Sequence, residues 1–188
     1  MEPSTNRATV MEGRQVKYGL IVALIVLALV GRLIPHPDNF TPMLAVALFG
    51  GAMFPGRTAY WVPLAAMFLS DLVLGYPVTW MTPVIYGCFA AAAGLGRWLA
   101  TSRTWARTGA AALAGSILFY AVTNFAVWAT PDGLYPHTLD GLIDCYVMAL
   151  PFFRNEIAGN LVWTATLFGL FDLAQHWIKT YAPNRLAH

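Results

Sequence analysis

Tyr18-Gly19-Leu20-Ile21-Val22-Ala23-Leu24-Ile25-Val26-Leu27-Ala28-Leu29-Val30-Gly31-Arg32-Leu33-Ile34 is almost purely aliphatic. A helix that crosses a bilayer needs about 20 mostly apolar residues to span a hydrocarbon core of roughly 30 Å. The run therefore predicts a membrane helix. The stretch before it, Met1 to Lys17, is mixed and polar. No small-residue cleavage site followed by a soluble domain appears, so the run reads as a retained helix rather than a signal peptide.

Outward from this run the pattern repeats. The loop Pro35-His36-Pro37-Asp38-Asn39-Phe40-Thr41-Pro42 cannot continue a helix, because its prolines lack the amide donor. Met43 to Phe54 is a second apolar stretch. It is short, so it must be tilted, distorted or sheltered by neighbours. The turn Pro55-Gly56-Arg57 follows. Further helices are predicted at about Ala59–Leu74, Trp80–Ala100, Thr108–Thr130 and Glu156–Ile178. A long connection runs from Pro131 to about Asn155. Its apolar part, Leu139 to Phe153, reads as a short helix that lies in the interface or dips into the bundle. As a seventh crossing it would disturb the charge pattern below.

Composition supports the same class. The chain is 58% hydrophobic and 11% charged, against about 25% charged in a soluble domain. Lipid can solvate such a surface, and little chain is left for a soluble catalytic domain. Six crossings put Arg7, Arg14, Lys17, Arg57, Arg97, Arg103, Arg107, Lys179 and Arg185 on one side, and Arg32 and Arg154 on the other. Cytoplasmic loops carry the excess of Lys and Arg. The expected fold is an all-α polytopic membrane protein, a six-transmembrane-helix bundle with both termini cytoplasmic. Its parts are an N-terminal segment 1–17, a membrane domain 18–180 and a tail 181–188.

The opposite face collects His36, Asp38, Asp132, His137, Asp140 and Asp144 with Phe40, Tyr76, Trp80, Trp128, Tyr135 and Tyr146. Aromatic anchors are ordinary at interfaces. Here they coincide with prolines, histidines and acids in long loops, which suits the mouth of a binding site. Arg32 and Asp71 lie at similar depth and read as an ion pair that fixes packing, or else as ligand or proton groups. Cys88 falls roughly 12 Å along its helix from Trp80. It reads as a small buried hydrophobe or as a soft metal ligand. Cys145 beside Asp144 ranks below it, since an adjacent acid disfavours the thiolate. His36 and His137 read as solvated or loop-fixing groups, with a ligand role as the alternative. Asn124, Asn155, Glu156 and Asn160 read as packing amides and a helix-start acid, or as pocket-lining groups. The small residues Gly50 to Ala52 and Ala90 to Gly96 read as close helix contacts. No phosphate-cradling loop, nucleophile triad or spaced metal-ligand set is present in the sequence.

Several strings together carry a resemblance: Arg32 to Pro42, Ala45 to Ala52, Pro63 to Gly75, Val84 to Phe89, Thr123 to Trp128, and Cys145-Tyr146 to Phe153. They resemble the BtuM family of small bacterial membrane proteins, from about Arg32 to Asp172. The resemblance implies a six-helix bundle like the substrate-binding S-components of energy-coupling factor (ECF) transporters. It implies uptake of cobalamin (vitamin B12) across the bacterial inner membrane. Cys88 stands at the position associated with the cobalt of the corrinoid. The other residues expected to line the corrinoid site are Tyr86, Phe40, Asn39, Tyr76, Trp80, Asn124 and Tyr146, beside the Arg32–Asp71 pair. A thiolate on cobalt would displace an upper ligand such as cyanide. Expected partners are cobalamin and the bilayer, with no nucleic acid. A shared ECF coupling module is a further partner, but Ala23 and Ala28 do not form the AxxxA docking pattern, which fits a solitary transporter. The competing expectations are an S-component for another vitamin or metal, and a membrane scaffold or intramembrane enzyme.

Overall fold

A computed structural model of the chain describes residues 4–131 and 133–181, with side chains from residue 18 onward except those of residues 179 and 181. The charges read at Arg7, Arg14, Lys17, Asp132, Lys179 and Arg185, the terminal His188, and most of the 181–188 tail lie outside the described residues. The described chain is all-helical: α1 Ser4–Leu33, α2 Met43–Met53, α3 Thr58–Leu74, α4 Met81–Leu99, α5 Trp105–Trp128 and α6 Leu139–Tyr181. The backbone of α1 runs through the expected boundary between 17 and 18.

α5 and α6 are each long and apolar enough to cross a membrane, with mean hydropathies of 1.7 and 1.4. The apolar parts of α1, α2 and α3 are shorter. The core is apolar, yet many large apolar side chains also cover the outside. Val22, Val26 and Val30 form an exposed stripe on α1, and Trp61, Phe68 and Leu72 are exposed on α3. Ile117 and Phe125 on α5 and Leu170 and Trp177 on α6 are exposed as well. Meanwhile Ser70, Ser116, Glu156, Asn160 and Thr164 are buried. Apolar surface this extensive needs lipid or protein against it, so the molecule is membrane-like.

α2 is the axis of the bundle. Every residue from Met43 to Gly51 is buried, and the helix packs on α3, α4, α5 and α6. This resolves its short length, because neighbours shelter it. Glycines make the closest approach. A Cβ on Gly51 would stand 2.1 Å from the carbonyl oxygen of Ala93, and one on Gly96 would stand 2.1 Å from that of Leu48. Backbones can approach so closely only where side chains are absent or small.

The last element corrects the expected helix boundary. The helix expected from Leu139 forms, but it does not stop at Phe153 as a separate short element. The chain turns helical again at Leu139 and stays so to Tyr181, through Pro151. Proline removes one intrahelical bond, here to Val147, and usually bends the helix. Packing against α5 holds the segment in place. Tyr120 stacks on Phe153 at 4.1 Å and meets Tyr146 edge-on at 5.4 Å. The Tyr146 hydroxyl donates to the Ala121 carbonyl at 2.6 Å. Farther along the hairpin, Ser116 meets Glu156, Asn160 meets Ala112, and Arg103 pairs with Asp172. Glu156 is therefore not at a helix start, and Arg154 lies within α6 rather than in a loop.

The ends of the bundle differ. One end gathers the loops after α1, α3 and α5. The other gathers Arg57, Arg97, Arg103 and Arg107. There Arg97 donates to the Phe54 carbonyl at 3.2 Å, Arg103 lies over Phe168, and Arg107 lies 4.0 Å above the Trp98 ring.

Candidate functional site

Two cavities lie toward the end that carries His36, one on each side of α4. The first is built on Asp71. α3 ends in a Schellman motif, with Gly75 left-handed at φ 71°. The Gly75 amide bonds Leu72 O and the Tyr76 amide bonds Asp71 O. Glycine accepts this conformation without a Cβ penalty. The turn brings Tyr76 back over α1, where the Arg32 guanidinium lies 5.3 Å from its ring.

Arg32 donates to Asp71 Oδ1 at 2.7 Å, and also to the Ser70 hydroxyl. Tyr86 of α4 donates to the other oxygen, Oδ2, at 2.9 Å. Three helices thus meet on one carboxylate. The cleft beside them measures about 350 Å³ and is lined by Arg32, Asp71, Tyr76, Thr79, Ile85 and Tyr86, among others. Aromatic faces and a few fixed polar groups on an apolar wall are what a small-molecule site requires.

The second cavity lies between α5, α6 and the loop after α1. Asn39 adopts a left-handed conformation, φ 63°, which asparagine tolerates better than most residues. Phe40 then packs against α6, where a Cβ on Gly159 would lie 3.0 Å from its Cα. Asn39 lines a cavity of about 100 Å³ with Phe119, Tyr120, Thr123, Asn124 and Glu156. An adjoining pocket of about 40 Å³ shares Asn39, Phe119 and Glu156 and adds Phe89 of α4.

The residues picked from sequence therefore separate into two groups. Tyr76 and Tyr86 join Arg32 and Asp71 in the first cleft, while Asn39 and Asn124 join in the second. Cys88 is 2% exposed and lines neither. Its helix does contribute to both, through Ile85 and Tyr86 on one side and Phe89 on the other. Trp80 caps α4 and is exposed. Phe40 and Tyr146 serve packing, as described above. Cys145 is buried and donates to the Asn124 carbonyl at 3.3 Å; both cysteines are free thiols. His36 lies 2.8 Å from the Pro37 carbonyl, and His137 lies 3.1 Å from that of Thr130.

What the sequence reading missed is the weight of Glu156. Its spacing held a signal, since Glu156, Asn160 and Thr164 recur every four residues and so share one helix face. That stripe meets Ser116 of α5. Ser116 donates to Glu156 Oε1 at 3.2 Å and accepts from Asn160 at 2.9 Å.

The chain matches, over residues 13–182, a family described as a family of unknown function, DUF6580. It belongs to that family. No curated protein and no solved structure matches it. The DUF6580 match covers all six helices apart from the first turns of α1, so both cavities lie within the family's span.

Proposed function

We propose that this DUF6580 protein is a multi-pass transporter of the S-component kind, with six crossings of a bacterial inner membrane and both termini cytoplasmic. Its solute is cobalamin or a related corrinoid, taken from the side that carries His36, with Cys88 as axial ligand to cobalt. The observation that carries this reading is the position of α4. Its Ile85 and Tyr86 line the Asp71 cleft, its Phe89 lines the small pocket that adjoins the second cavity, and Cys88 is buried between them in the helix. Displacement of α4 would join the cavities and uncover a soft sulfur at the centre of the enlarged site. Soft thiolates suit such a transition-metal centre. The basic end, with Arg57, Arg97, Arg103 and Arg107, supports the cytoplasmic assignment.

An absorbance spectrum of detergent-purified protein after incubation with cobalamin tests the proposal. Wild type is expected to retain corrinoid with a shifted spectrum, and Cys88→Ala to lose the shift. A wild-type protein that retains no corrinoid would overturn it.

A second reading has its own support. The 350 Å³ cleft on Asp71 suits a solute much smaller than a corrinoid and does not touch Cys88. An S-component for a different vitamin would bind there, and its affinity would be indifferent to Cys88→Ala and sensitive to Tyr86→Phe.

A further inference from the structure

Glu156 lies near the midpoint of the α5–α6 hairpin. Its partner Ser116 is eleven residues from the start of α5 and twelve from its end, roughly 17 Å from either end at 1.5 Å per residue. The residue is 6% exposed. Ser116 holds Oε1, whereas Oε2 is buried with no hydrogen-bond partner. No cation compensates it either, because the ion pairs among the described residues are Arg32–Asp71 and Arg103–Asp172. An acid at this depth normally faces the bundle interior and has a partner or marks a solute path.

The space beside it has a definite chemistry. The rings of Phe119, Tyr120, Phe152 and Phe153 line the cavity. Asn124 commits its amide nitrogen to the Tyr120 carbonyl at 2.8 Å, which leaves its side-chain oxygen as an acceptor. Thr123 commits its hydroxyl proton to the Phe119 carbonyl at 2.7 Å, so its oxygen is left to accept. An uncompensated carboxyl, further acceptors and several aromatic rings complement a positive charge that carries N–H donors. Aromatic rings attract such cations electrostatically.

We propose that this cavity binds a primary ammonium group of a small organic cation, with Glu156 as its counter-charge and Asn124 and Thr123 as further acceptors. The assignment does not use Cys88 or cobalt, and it concerns one of the two cavities that the corrinoid reading would join. A metal ion fits less well, because no group of three His, Cys, Asp or Glu side chains that would hold one occurs among the described residues. A neutral amide would leave the carboxylate charge uncompensated.

The test is thermal unfolding of the detergent-purified full chain, titrated with ethylammonium up to about 100 mM. So small a probe binds no tighter than about 1 mM. The expected result is a saturable rise in the unfolding midpoint, weaker with tetramethylammonium, which has no N–H, and absent with acetamide, which has no charge. Glu156→Gln is expected to abolish the rise. Phe119→Leu, which keeps an apolar wall without a ring, is expected to weaken the apparent affinity roughly three- to thirtyfold. A midpoint that ethylammonium leaves unmoved in the wild type would overturn the proposal, as would equal stabilisation by acetamide. Should Glu156→Gln not fold, an unchanged affinity in Phe119→Leu would overturn it as well.

Discussion

At Asp71 both carboxylate oxygens are occupied, one by Arg32 and the other by Tyr86. The pair was legible because the two charges fall at the same depth on neighbouring apolar runs. The tyrosine was not, since nothing in the spacing of α4 shows which face turns toward α3. Loss of one partner from a largely buried pair leaves a charge without compensation, which costs about 3 kcal/mol or more. Asp71→Asn is therefore expected to lower stability by about that amount in detergent, read from thermal or denaturant unfolding. The double replacement of Arg32 by Met and Asp71 by Asn should cost less than Asp71→Asn alone. A single variant as stable as wild type would show that the pair does not hold α1 to α3. Ser116→Ala belongs to the same scale. It leaves Glu156 Oε1 without its donor and should cost about 1–3 kcal/mol, measured in the same unfolding experiment.

Among the elements, the crossing of α2 and α4 is the tightest contact. The sequence announced it through clustered small residues, although it could not say that Gly51 faces Ala93 or that Gly96 faces Leu48. Those partners are fixed by the path of the chain through the Pro55–Arg57 turn and α3. Even one methyl group at either glycine would strike backbone. Gly51→Ala and Gly96→Ala are each expected to destabilise by about 1–3 kcal/mol. Gly109→Ala, where an added Cβ meets nothing within 4 Å, is expected to be neutral, or stabilising by up to about 1 kcal/mol. Equal effects at all three positions would contradict the assigned contact. In α6 it was the continuity that was not legible, since Leu139 to Phe153 reads as a short helix of its own. Asp144 and Pro151 interrupt its apolar run, and each argues locally against a helix that continues. Long-range packing of Tyr146 and Phe153 on Tyr120 outweighs those local signals.

For the molecule as a whole, the proposed six-crossing topology assigns each end of the bundle to one side of the membrane. Val78 and Leu134 are strongly exposed at the His36 end, whereas Gly56 and Ser102 lie in turns at the basic end. Single cysteines introduced at these positions, with Cys88 and Cys145 replaced, should react oppositely with a membrane-impermeant maleimide. On intact cells with a permeabilised outer envelope, the Val78 and Leu134 sites are expected to label. The Gly56 and Ser102 sites should label only after the inner membrane is broken. Labelling of both pairs from one side would contradict the six-crossing arrangement.

Uptake by whole cells distinguishes a corrinoid solute from a smaller one. Cobalt-labelled cobalamin is supplied to bacteria that lack their own importer and carry this chain. Accumulation above empty-vector cells, lost in Cys88→Ala, is the predicted result. Accumulation no greater than in empty-vector cells would contradict the account and move the search to smaller solutes at the Asp71 cleft.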